Sequence, residues 1–288
     1  LLVCAYALDA TFFEILEKQI VGATAVVNGA VVVQDCWRLE AVLYVLHQAM
    51  EAVKSSVNSK DKCGTALSFL VRTVQLLLAE GVQGACALHP ELQDTVCVLL
   101  GSLTFLLTSG SKRLDPEQPG NAEKAAIGAH FVSALSFLFK CLPHLSCCDS
   151  AAKAVHQLCI HGQKALTASA AEGVGGEPLV FALVEATIKA LDSSLGQCAV
   201  RDDVDKTLAA LLQVIEGVVR TLTALPLPAV GLFTFAVHIE RCLGEELAAP
   251  TSAVRVELLL KHAAQVRDKR AAGLMRCPYR VPCASWPY

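Results

Sequence analysis

The stretch Val204-Asp205-Lys206-Thr207-Leu208-Ala209-Ala210-Leu211-Leu212-Gln213-Val214-Ile215-Glu216-Gly217-Val218-Val219-Arg220-Thr221-Leu222 decides the fold class. Val204, Leu208, Leu211, Leu212, Ile215, Val218, Val219 and Leu222 recur at spacings of three and four. They therefore form one apolar stripe along about five turns of an α-helix. Asp202 and Asp203 precede the stripe, where carboxylates suit an N-cap and the positive end of a helix.

The same spacing recurs upstream. Leu39, Val42, Leu43, Leu46, Met50 and Val53 form one stripe, and Leu67, Leu70, Val71, Val74, Leu77 and Leu78 another. Further helices are predicted at about 91–108, 123–142, 149–168, 178–195, 228–245 and 252–269. Pro90, Pro178 and Pro250 lie at or just before helix starts, where a missing backbone N–H costs nothing. Loops are expected at Ser109 to Asn121 and at Ser169 to Glu177. The helices read as antiparallel pairs starting near 36, 91, 149 and 202, each pair with its loops taking about 50–58 residues. No residue motif repeats between pairs. Many helices are apolar on more than one stripe, as expected where each packs on its partner and on neighbouring pairs. The expected fold is all-α: stacked antiparallel helix pairs in one body over residues 1–270.

One segment departs from the helical pattern. Val26-Val27-Asn28-Gly29-Ala30-Val31-Val32-Val33 sets Asn-Gly between β-branched runs, the signal for a two-residue hairpin turn. A helix that breaks near Gly29 is the alternative. The expectation is a short hairpin or irregular segment near 21–33, and an isolated hairpin would be only marginally stable.

The chain has 288 residues, 54% hydrophobic and 18% charged, with net charge -3 and mean hydropathy +0.49. That composition is too apolar for a disordered chain and insufficiently basic for a mainly electrostatic nucleic-acid binder. The 13 cysteines are odd in number and irregularly spaced, and most lie in apolar helical runs. With no Asn-x-Ser/Thr sequon, they favour a reducing intracellular compartment, cytoplasmic or nuclear. The opening Leu1-Leu2-Val3-Cys4-Ala5-Tyr6-Ala7-Leu8 has no basic residue before it and reads as mid-helix, so the expectation is a piece of a longer chain. Residues 271–288, with Pro278, Pro282, Pro287, Cys277 and Cys283, are expected to form a flexible tail.

Two uncharged stretches raise the question of a membrane. Thr221 to Ile239 carries Pro226 and Pro228 near its start, and Thr95 to Ser111 carries Gly101, Ser102 and several threonines. Both read as core helices, and no membrane span is expected.

Candidate sites are few. Cys141, His144, Cys147, Cys148, His156, Cys159 and His161 place seven soft ligands close together, but at spacings that match no familiar zinc finger. They read either as a zinc site or as ordinary core and surface residues, and the latter is preferred. Asp202, Asp203 and Asp205 lack the glycine and distal glutamate of a calcium loop. Gly110-Ser111-Lys112 lacks the flanks of a phosphate loop, and Gly173-Val174-Gly175-Gly176 follows no strand. No nucleophile elbow and no His-Glu-x-x-His occurs. No catalytic, cofactor or metal residue is assigned from these patterns. Beyond residue 250, Arg255, Lys261, Arg267, Lys269, Arg270, Arg276 and Arg280 stand against Glu257 and Asp268. The terminal helix Val254 to Arg270 is either a solvated last helix or a docking element for an acidic partner or nucleic acid.

The leucine- and valine-rich pairs, such as Leu39 to Val53 followed by Leu67 to Leu78, resemble armadillo- or HEAT-type repeats over residues 36–270. The opening Tyr6-Ala7-Leu8-Asp9-Ala10-Thr11-Phe12-Phe13-Glu14-Ile15-Leu16-Glu17, with the cysteine- and leucine-rich character, resembles the vertebrate meiosis inhibitor family, itself of armadillo type. The first resemblance implies a scaffold that binds partners along a groove. The second implies a setting in meiotic double-strand break formation and chromosome synapsis. The leading expectation is thus a non-enzymatic helical scaffold for protein partners. A helical enzyme or cofactor binder with an unrecognised site, and a membrane-associated helical protein, are the alternatives.

Overall fold

The computed structural model describes residues 2–58, 63–109, 120–167, 179–190 apart from 181, 185 and 188, and 201–223. Of these, 83% are helical, and a two-stranded sheet makes up the only other regular element among them. Backbone contacts divide the chain into Leu1–Thr221 and Leu222–Tyr288, and all the described residues except Leu222 and Thr223 belong to the first unit. The tail expected at 271–288 and the basic helix expected at 254–270 lie outside the described residues.

Helix α1 (Leu2–Ala23) runs directly into strands β1 (Thr24–Val27) and β2 (Ala30–Val33). The strands pair antiparallel, with Val27 opposite Ala30, leaving Asn28-Gly29 as the two-residue turn. Both turn residues have positive φ, 53° and 81°, the combination a type I′ turn demands and Asn-Gly supplies at low cost. The sequence signal at 26–33 is therefore a true hairpin. It is not isolated. Strand β2 lies against α5 (Glu80–Leu88), where Gly81 lets the Val31 carbonyl approach the helix backbone.

Helix α2 (Cys36–Gln48) starts at Asp35, whose carboxylate accepts the Arg38 backbone N–H at 2.9 Å. Arg38 reaches back to α1, donating to Gln19 Oε1 at 2.6 Å from Nη2 and 3.0 Å from Nε. Beyond these come α3 (Met50–Asn58), α4 (Cys63–Leu77), α6 (Pro90–Ser102) and α7 (Thr104–Leu107). The order continues with α8 (Asn121–Gly128), α9 (Phe131–Cys141), α10 (Cys148–His161) and α11 (Gln163–Thr167). Helical residues follow at 179–190, and then the long helix α12 (Arg201–Thr223). Because α12 begins at Arg201, Asp202 and Asp203 occupy its first turn rather than the cap, still at the positive helix end.

The helices read as continuous over 39–53, 91–108, 123–142 and 149–168 are each broken in two. Three breaks fall on a single residue with φ near -90° and ψ near 0°, Ala49 (-90°, 3°), Leu103 (-87°, 5°) and Gly162 (-94°, 10°), and the fourth spans Ala129 and His130, with His130 in the same conformation (-88°, 2°). This bridge conformation interrupts the helix, and buried residues lie on both sides of each break. The kinked helices that begin at Cys36, Pro90 and Cys148 thus share one backbone plan, and α12 begins the next interval.

The packing follows the same interval. α6 lies between α2 and α10, and α1 packs on α2. Three polar bonds between helices share one separation in sequence. His47 Nδ1 meets Ser102 Oγ at 2.9 Å, Thr95 donates to Glu40 at 2.9 Å, and Arg72 donates to Glu17 at 2.8 Å, every pair being 55 residues apart. Small residues set the crossings. Gly101 of α6 faces Ala154 of α10 so closely that a Cβ would lie 3.2 Å from the Ala154 methyl carbon. Gly217 of α12 faces Cys159 and His156 in the same way, at 3.0 and 3.1 Å. Leu39, Leu43, Leu46, Leu99, Leu100, Val155 and Leu158 are fully buried between these helices. Phe13 of α1 packs on Phe69 of α4 with ring centroids 5.2 Å apart.

Among the described residues, no single helix is long and apolar enough to cross a membrane. The segment Gly64–Leu77 with Glu80–Leu88 reaches the required length and hydropathy only as a pair bent by 61°. The uncharged run 95–111 is divided at Leu103, and 224–239 lies outside the described residues.

Candidate functional site

Two features of the first unit are not explained by core packing alone: a knot of buried thiols and an uncovered apolar groove.

Cys97 sits in the middle of α6, Cys141 is the last residue of α9, and Cys147 is the residue from which α10 starts. The contacts of α6 with both α9 and α10 bring the three sulfurs within 4.8 Å of one another. All three residues are buried. Cys141 Sγ is the acceptor of the group, taking a bond from Gln93 Nε2 at 3.4 Å. Cys147 Sγ donates to the carbonyl oxygens of Cys141 and His144 at 3.5 and 3.6 Å. The neighbouring thiols of Cys147 and then Cys97, with the Gln93 amide adding to them, push the Cys141 thiol down, and the Cys141 sulfur pushes Cys97 and Cys147 up. Nearby Cys86 is raised to about 12, first by burial and then by the charge of Cys147.

Of the seven soft ligands singled out in the sequence, the structure unites Cys141 and Cys147 alone. Cys148 is buried in the first turn of α10. Cys159 is buried against α12, where Thr221 donates to its carbonyl at 3.2 Å, and burial raises its thiol to about 12. His161 Nε2 lies 3.2 Å from Gln157. His144 is exposed on the turn before α10, close enough to Cys147 for its charge to favour the thiolate. Sequence reading missed Cys97. It lies in a different helix from its partners, and only the stacking of α6 on α9 and α10 brings it to them.

His156 lies between α10 and α12, 3.8 Å from Glu216, and its Nε2 is buried without a hydrogen-bond partner. Burial lowers its pKa below 6.5; Glu216 opposes this, while Arg220 and His161 add to it. The unfolded chain therefore binds the proton more readily. The stability contributed by neutral His156 is complete above about pH 6.5 and falls as the pH drops below it. His47, lowered by burial, acts in the same direction. In imidazole-detected NMR titrations, both rings are expected to show midpoints below 6.5. A His156 midpoint above 6.5 would mean that Glu216 outweighs burial.

The groove runs between α9, α11 and the helical residues 179–190, with a volume of about 400 Å³. Val132, Leu135 and Phe139 form one wall, Leu179 and Leu183 the other, and Leu166 contributes from α11. Val132 and Leu179 are exposed, while Leu135 and Leu183 are buried at the base. Among the described residues, Lys140 and Lys189 are its charged lining residues. On a separate surface, Trp37 and Tyr44 project from α2 with 66% and 51% exposure.

No family model, curated protein or solved structure matches the chain.

Proposed function

We propose that this protein is a non-enzymatic helical scaffold of the stacked-pair, armadillo or HEAT kind, and that its groove at α9 and residues 179–190 docks an amphipathic helix of a protein partner. The groove carries the reading. Val132, Leu135 and Phe139 recur at helical spacing opposite Leu179 and Leu183, and such a trough takes the apolar face of a helix at i, i+3 and i+7. Lys140 and Lys189 in the described lining suit a partner with acidic residues beside its apolar stripe. The repeated kinked helices support the stacked arrangement, since layers that share their apolar faces yield extended surfaces for docking. The resemblances to armadillo-type repeats and to the meiosis inhibitor family supply the setting: an intracellular protein, cytoplasmic or nuclear, working in meiotic double-strand break formation and chromosome synapsis.

The test is a photo-reactive amino acid at position 132 or 179, both exposed, in the full chain in cells, with the cross-linked peptide identified by mass spectrometry. The expected product is a segment of another protein with helical apolar periodicity and flanking Asp or Glu. A synthetic copy of that segment should bind the purified chain, lose about tenfold in affinity with V132E, and lose its salt dependence with K140E combined with K189E. Cross-links confined to this chain's own residues, or a partner segment without that pattern, would overturn the docking role. Turnover of a small molecule bound in the groove would replace the scaffold by an enzyme.

A further inference from the structure

We propose that Cys97, Cys141 and Cys147 form a binding site for a single thiophilic d10 cation, Zn2+ or Cu+, with His144 completing the set when the ion is zinc. Among the described residues, this is the one place where three or more metal-ligating side chains converge. A zinc–sulfur bond of about 2.3 Å sets bound thiolates about 3.8–4.0 Å apart, so sulfurs already within 4.8 Å close on an ion by small side-chain rotations. Three soft donors in an apolar setting exclude calcium and magnesium, which require oxygen. Cys147 stands at the positive end of α10, and the Gln93 amide donates to Cys141; both relieve the negative charge of a thiolate cluster. On binding, three metal–sulfur bonds form and the protons still held by the thiols pass to solvent. Cys97 also borders an open pocket between α6, α7 and α10, rimmed by Lys54, Lys153 and His161. The ion would tie α6 to α9 and α10, joining two successive kinked helices where hydrogen bonds alone now hold the thiols.

The test uses the full chain, reduced and stripped of metal by a chelator under anaerobic conditions. Co2+, the optical probe for zinc, is expected to bind at one equivalent with an intense sulfur-to-cobalt charge-transfer band, and Zn2+ should displace it. C97S, C141S and C147S should each weaken binding at least tenfold and reduce that band, while C159S should change neither. H144A separates the two ions: it should weaken Zn2+ binding and leave Cu+ binding, measured against a chromogenic copper chelator, unchanged. If H144A alters neither ion's affinity, the fourth-ligand assignment falls. A second readout needs no core substitution. In the unmodified chain, Zn2+ should slow alkylation of Cys97, Cys141 and Cys147, mapped by mass spectrometry, without slowing Cys36 or Cys86. Failure of both ions to bind at one equivalent with micromolar affinity or better would overturn the site, as would protection of a different set of cysteines.

Discussion

Gly81→Ala is expected to destabilise the protein by about 3 kcal/mol, whereas Gly84→Ala, three positions along the same helix, is expected to stabilise it by about 0.5–1 kcal/mol. At position 81 an added Cβ falls on the Val31 carbonyl oxygen of β2. The neighbour is backbone, held in register by the hairpin, so it cannot rotate away. Either the hairpin lifts from α5 or the helix shifts, and both uncover apolar surface. At position 84 nothing lies within 4 Å, the residue is exposed, and alanine only restricts the unfolded chain and improves helix propensity. Chemical denaturation followed by circular dichroism at 222 nm measures both. Changes of the same sign at the two positions would contradict the placement of the hairpin on α5.

The second large effect is expected in the core around α6. Leu100→Ala should cost about 2–5 kcal/mol, because Leu100 is fully buried in α6 and its neighbours can collapse only partly into the vacated space. Leu88→Ala, with Leu88 78% exposed at the end of α5, should change stability by less than about 0.5 kcal/mol. The damage should also spread in a particular way. α6 packs on α2 and α10, so hydrogen exchange should accelerate in all three helices rather than in α6 alone. Acceleration confined to α6 would mean that successive helices do not share their core.

Much of the fold was legible from residue spacing, and the rest was not for physical reasons. Asn28-Gly29 announced its turn because few residues other than Asn and Gly accept positive φ. The helix starts near 36, 91, 149 and 202 followed from apolar stripes and a proline, and the observed starts are Cys36, Pro90, Cys148 and Arg201. The breaks were hidden. Ala49 and Leu103 are good helix formers, and it is tertiary packing that turns the chain there. The thiol cluster was half visible, since Cys141 and Cys147 are near in sequence, but Cys97 joins them only once α6 is laid beside α9 and α10. The groove had no signal of its own. Val132, Leu135, Leu179 and Leu183 carry the same periodic apolar pattern as a buried face, and spacing does not tell a covered stripe from an open one.

The metal site presupposes that α6 and α10 lie directly on one another, and one contact reports that packing without altering a residue. In an isotopically labelled chain, a nuclear Overhauser effect between the Ala154 methyl and the Gly101 α-protons tests it, since a Cβ on Gly101 would lie 3.2 Å from that methyl carbon. A strong cross-peak is the expected result. With both resonances assigned, its absence would contradict the stacking of α10 on α6.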